Sequence, residues 1–137
     1  MKKILVAVDG STASLHAARL ALDLAKNSAG EVTIAHVVSP VVVASELSMG
    51  VAPWTEEAVK AGEALLEDIV KELGSPQVRR VNLTGAPAER IADMAEQQNF
   101  DLVVVGSKGR GAVSRMLVGS VTDRLVHICT RPILVVR

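Results

Sequence analysis

The sequence is nearly without aromatic side chains, with one Phe, one Trp and no Tyr. A surface that stacks the bases of single-stranded nucleic acid needs several, so that class of function is excluded. The core must be built from Val, Leu, Ile and Ala instead. Cysteine is scarce too: Cys129 has no second cysteine to pair with, which fits a reducing compartment. An excess of charge of one sign is missing, since fifteen basic and fifteen acidic side chains cancel. No global field therefore draws the chain to nucleic acid or a membrane surface. No apolar run approaches the roughly 20 residues of a membrane span. Met1-Lys2-Lys3 opens like a signal peptide, but the run Ile4–Val8 behind it is too short and ends in Asp9-Gly10. The expected location is the cytoplasm.

What is present suits one domain over residues 1–137, long enough to bury a core without disulfides or a metal. Five apolar, β-branched runs recur at Lys3–Val8, Val32–Val38, Val78–Leu83, Leu102–Val105 and Ile133–Val136. Short continuous runs bounded by Gly, Pro, Asp or Ser read as strands buried on both faces. Helical periodicity lies between them, over Ser11–Asn27, Thr55–Leu73, Pro87–Gln98 and Ala112–Ile128. Ser11 or Thr12 is the expected first N-cap, and Pro87 stands where a helix tolerates a missing N–H. Strand–helix alternation of this kind predicts an α/β fold with a largely parallel sheet and right-handed crossovers. Ser39–Pro53 resists the scheme. It is long and apolar for a loop, and reads either as a mobile lid or as a short helical turn packed on the sheet.

In an open parallel sheet, ligands bind outside the carboxyl ends of the strands, where the strand order reverses. Every glycine-rich junction of this chain falls on that rim. Gly106-Ser107-Lys108-Gly109 follows the fourth strand, and Gly119-Ser120 comes shortly after. Glycine there allows close backbone approach to an anion, and successive N–H groups can form an anion-binding nest. A P-loop is excluded, because Ala112-Val113 occupy the places of its Lys and Ser/Thr. A dinucleotide fingerprint is excluded as well: Gly109-x-Gly111 is followed by Ser114, too near the end of the chain for a full unit with its acidic ribose partner. The pattern G-x-x-G-x9-G-[ST] matches in full at Gly106, Gly109, Gly119 and Ser120. Lys108, Arg110 and Arg115 add local positive charge. Ala7, Val8 and Val37 would floor an apolar slot suited to a purine.

With that pattern, the chain resembles the nucleotide-binding branch of the universal stress protein family. The resemblance also includes Ile4-Leu5-Val6-Ala7-Val8-Asp9-Gly10-Ser11, His36-Val37, the Gly85-x-Pro87 turn and the closing Arg131-Pro132-Ile133-Leu134-Val135-Val136. It implies a five-stranded parallel sheet of order 3-2-1-4-5 with helices on both faces, Rossmann-like and adenine nucleotide alpha hydrolase-like. It implies ATP, or another adenine nucleotide, at the junction of the first and fourth strands, with Mg²⁺ accompanying the nucleotide. Ala7, Val8, Val37 and Val105 would then border the adenine. Asp9 would face the adenosine or a metal-bound phosphate. Gly106, Lys108, Gly109, Gly119 and Ser120 would hold ribose and phosphates, with Val121 and Thr122 continuing that shell. It also implies a homodimer paired through Ile133–Val136.

Each of these residues has a plainer reading beside it. Tight turns and helix–sheet packing use glycines as well, and Asp9 can cap the first helix while touching a ligand. His16, His36 and His127 lack metal-ligand spacing and read as structural or solvated. Cys129 reads as a small core residue, and Met49 and Trp54 as packing. The charges between Glu56 and Glu72 read as a solvated helix face. No catalytic triad or general base is apparent, so the expected function is a nucleotide-binding stress or signalling switch without catalytic residues. Two alternatives stand: a slow ATPase or phosphotransferase, and a scaffold for an unknown protein partner with a structural nucleotide.

Overall fold

The computed structural model describes residues 2–39, 41–45, 48–52, 55–108 and 118–137, the segments 41–45 and 48–52 by their backbone. The elements run β1 (Lys3–Ala7), α1 (Thr12–Ser28), β2 (Glu31–Val38), β3 (Val41–Ser45), β4 (Ser48–Ala52), α2 (Glu56–Leu73), β5 (Arg79–Thr84), α3 (Pro87–Gln97), β6 (Leu102–Gly106), α4 (Ser120–Ile128) and β7 (Ile133–Val136). Five strands form one sheet in the order β5-β2-β1-β6-β7. All of its pairings are parallel. Counted along the sheet strands alone, this is the expected 3-2-1-4-5. Among the described residues, no helix is long and apolar enough to cross a membrane.

Strand alternation splits the core into two layers. Side chains two apart share a face, so Ile4, Val6 and Val8 pack with α1 and α2 through Ala17, Ala18, Leu66 and Ile69. Leu5, Val103 and Val105 pack on the other face, under α3 and α4, with Ile91, Ala95 and Leu125. Ile4, Leu5, Val6, Val103 and Val104 are wholly buried. Burial of each such side chain is worth about 1.5–3 kcal/mol relative to exposure. Cys129 packs half-buried against the α3–α4 layer, as its reading as a core residue requires.

Local chemistry sets the helix limits. The Ser11 hydroxyl accepts from Ser14 N at 3.1 Å, and Thr55 Oγ1 accepts from Ala58 N at 3.1 Å. Gly74, at φ 64°, closes α2 by donating to Val70 and Lys71 carbonyls. Two expectations need correction. The last helix does not begin at Ala112: Val118 and Gly119 are non-helical, and Gly119 is extended (φ −70°, ψ 159°) as the N-cap of α4. Ala112 itself lies outside the described residues. The described residues 41–45 and 48–52 of Ser39–Pro53 form the antiparallel pair β3–β4 in place of the expected helical turn, with Val41 opposite Ala52 and Ser45 opposite Ser48. The β-branched run Val41-Val42-Val43 favours that extended backbone.

The amino ends of β1 and β6 are clamped at the opposite rim. The Asp101 carboxylate accepts from Lys3 N at 2.9 Å and Lys2 N at 3.0 Å. Lys3 Nζ lies 4.7 Å from the Phe100 ring centroid and donates to the Gln98 carbonyl. The Lys3 and Lys2 N–H groups hold the Asp101 carboxyl below its usual range. A depressed folded-state value stabilises the fold above the unfolded carboxyl's roughly 3.9, and that contribution is lost as pH falls through the lowered value. Asp101→Asn should therefore lower the melting temperature at pH 7 and flatten its fall below about pH 4. Thermal melts across that window check this; an unchanged acid limb would contradict it.

Candidate functional site

The order β5-β2-β1-β6-β7 reverses direction between β1 and β6, so a crevice opens beyond their carboxyl ends. The first wall is the turn from β1 into α1. Gly10 sits at φ 85°, a backbone region side chains disfavour. Asp9 Oδ1 accepts from Ser11 N at 2.9 Å, closing an Asx turn. Ser14, buried at 4% exposure, donates its hydroxyl to Ser11 O at 2.9 Å and accepts from Asp9 N at 3.4 Å. From the β2 side, His36 Nδ1 lies 2.9 Å from Val8 O. A carbonyl only accepts, so this nitrogen carries the proton.

The second wall is the segment after β6. Gly106 lies against the first turn of α1: a Cβ added there would stand 2.8 Å from Ala13 C and 2.9 Å from both Ala13 Cβ and Ser14 N. Those are backbone and short side-chain atoms, which cannot yield cheaply. The Gly106 carbonyl accepts from Thr122 Oγ1 at 2.7 Å, a buried contact. Ser107 N donates to Val136 O at 2.6 Å, and Ser107 O accepts from Gly119 N at 2.7 Å. Two hydrogen bonds thus hang the start of α4 from the end of β6. Helix geometry leaves the N–H groups of Ser120, Val121 and Thr122 without intrahelical acceptors. The N-cap, Gly119, has no side chain to cap them, and among the described residues no side-chain cap is seen. They can receive an anion. Asp123, in the same first turn, offsets part of the helix dipole, so an anion there would depend mainly on the backbone donors.

The expected residues separate into groups. Ala7 and Val37 are half-buried and share the α3–α4 face with Leu83 and buried Val105, as an apolar border needs. Val8 is a correction to the expected floor of the slot. Its side chain packs in the opposite layer. Its N–H donates to Ala35 O at 2.9 Å, and its carbonyl takes His36, so Val8 belongs to the frame. Thr122 is 3% exposed, and its hydroxyl proton is committed to Gly106. Gly119 is buried, Lys108 is half-buried, and Ser120 and Val121 are exposed. Gly109, Arg110, Arg115 and Trp54 lie outside the described residues, as does the side chain of Met49. Ser14, Asn82 and Gly62 were not expected to matter at this rim. For Ser14 the only signal was its place three residues after the cap Ser11.

A cleft of about 170 Å³ on the α1–α2 side reaches Gly10, Ser11 and Ser14, but its far wall carries Asp68 and Glu72. Those carboxylates would repel a phosphate, which makes this cleft the less suitable side of the rim for an anion. Among the described residues, no group of three or more His, Cys, Asp or Glu could hold a metal ion.

A family model described as the universal stress protein family matches residues 1–137. The chain belongs to the universal stress protein family. A universal stress protein of Methanocaldococcus jannaschii is 31% identical over 150 residues, covering 99% of this chain and 82% of that one. Universal stress protein YxiE of Bacillus subtilis is 32% identical over 145 residues, covering 98% of each. Among solved structures, the universal stress protein UspA from Lactobacillus plantarum superposes with a TM-score of 0.80 at 26% identity, covering 99% of this chain and 97% of that one. A universal stress protein in complex with cAMP superposes with a TM-score of 0.72 at 26% identity, over the same shares.

The packing at Gly106 yields a prediction for this family member that needs no ligand. Gly106→Ala should destabilise the protein by about 1–3 kcal/mol, because the new methyl meets unyielding backbone. Urea unfolding measures this, and a midpoint equal to wild type would contradict the close approach.

Proposed function

We propose that this universal stress protein is a binder of an adenine nucleotide at the β1/β6 junction, acting as a dimeric stress or signalling switch in the cytoplasm. Residues 1–137 form its single nucleotide-binding domain. The observation that carries the reading is the start of α4 at Gly119, hung from Ser107 beside the braced Asp9 turn. Ala7, Val37 and Val105 border the purine, and Asp9 faces the ribose or the metal-bound phosphates. Lys108, Gly109, Gly119, Ser120 and Val121 supply the phosphate contacts. Thr122 acts through Gly106, fixing the height of the helix start. The complex of a 26% identical relative with cAMP supports the adenine class. ATP, with Mg²⁺ carried on its phosphates, is the leading candidate, on the resemblance of the Gly106–Ser120 glycine pattern to the family's nucleotide-binding branch. A switch further requires the nucleotide to favour one of two states.

The two edges of the sheet differ in a way that supports dimerisation. β5 opens on exposed Arg79 and Arg80, and charge of this kind protects an edge from pairing. β7 reads Ile-Leu-Val-Val without a charge, and its Val135 is exposed. A second copy pairing along Ile133–Val136 would cover that edge.

Calorimetric titration with ATP, ADP, AMP and cAMP tests the site. Binding with at least one of them is expected, and Gly119→Val should weaken it at least tenfold without unfolding the protein. No heat with any of the four at millimolar concentration would overturn the reading. Sedimentation tests the edge: wild type should run as a dimer and Val135→Lys as a monomer, while a monomeric wild type would exclude the pairing.

A further inference from the structure

One polar group is built into the apolar α2 side of the sheet, directly beneath the Asp9 turn. His36 lies on β2 between Ala35 and Val37 and is only half-buried. Its Nδ1 holds Val8 O at 2.9 Å. Its register partner across β5 is Asn82, whose Nδ2 donates to Val59 O of α2 at 2.9 Å. Gly62 of α2 makes the room: a Cβ there would stand 3.0 Å from His36 Cδ2 and 2.6 Å from Asn82 Oδ1. Asn82 Oδ1 is buried with no hydrogen-bond partner among the described residues. A buried oxygen without a partner is costly. Leucine or valine at positions 36 and 82 would fill the same layer without that cost. The fold keeps instead a line of polar groups from the β1 rim, through β2 and β5, to the first turns of α2.

We infer that His36 is a positioning residue for the nucleotide site. This rests on the adenine-nucleotide reading of that site. The imidazole N–H fixes the Val8 carbonyl, and with it the peptide plane from which Asp9 departs. Ser14 and the Asp9–Ser11 bond fix the same turn from the α1 side. Without His36, the Val8–Asp9 peptide can rotate, and the Asp9 side of the crevice loses its register against the Gly119 side. The missing side chain of Gly62 leaves the space in which the ring makes that bond.

The test compares His36→Leu with His36→Asn. The asparagine Nδ2 can occupy the place of the imidazole Nδ1, whereas leucine fills space without a donor. Melting temperature and ATP affinity are measured for both. His36→Leu should bind ATP about tenfold more weakly, the scale of one lost hydrogen bond, and His36→Asn should recover to within about threefold. A folded His36→Leu that binds within twofold of wild type would overturn the inference, as would a folded His36→Asn as weak as the leucine variant. Should the leucine variant fail to fold, ¹H–¹⁵N NMR of the wild-type imidazole decides. A protonated Nδ1 whose resonance moves as ATP saturates the protein supports the inference. An Nε2–H tautomer, or a resonance unmoved while ATP binds, overturns it. Wild-type protein that binds no nucleotide would overturn the reading of the site itself, a result distinct from these.

Discussion

The approach of Gly106 to the first turn of α1 is the contact on which the rim depends. A side chain at that point would stand 2.8–2.9 Å from Ala13 and Ser14, so α1 would have to lift from β6. The same residue offers its carbonyl to Thr122, and its neighbour Ser107 ties β7 and Gly119 to the strand end. One missing Cβ thus sets the distance between the two walls of the crevice. The apolar layers fix the sheet, but this junction fixes the crevice.

A consequence is that the glycine pattern is not a list of ligand contacts. Gly106 has a packing reason of its own, and Gly10 is required by its φ of 85°. Gly119 is different, because it stands at the N-cap of α4 and brings no side chain to the helix's first N–H groups. On the proposed reading, phosphate affinity resides there, while Gly10 and Gly106 also maintain the frame. Val8 and Thr122 also move to the frame, one by strand alternation and one by its committed hydroxyl. The site is small in direct contacts and large in the residues that hold those contacts still.

Much of this was legible in the sequence, for identifiable reasons. Strands buried on both faces leave unbroken β-branched runs, so Leu102–Val105 and Ile133–Val136 could be bounded to within a residue. Ser11 and Gly74 are strong local signals for the ends of α1 and α2. The strand order came from the family resemblance, since alternation alone does not order a sheet. The β3–β4 pair was illegible because a short apolar run suits a strand, a turn of helix or a loop equally. The start of α4 was misplaced because its cap is a glycine without a side-chain bond. His36 and Asn82 were illegible as a pair: they are far apart in sequence, and only the β2–β5 register brings them together.

The most direct test of the account is backbone amide NMR of the protein titrated with ATP. The account predicts shifts concentrated at two places distant in sequence, residues 7–11 and 119–122, with Val37 and Lys108 moving at the same midpoint. Shifts confined to the Asp68–Glu72 cleft, or to one wall of the crevice alone, would contradict it.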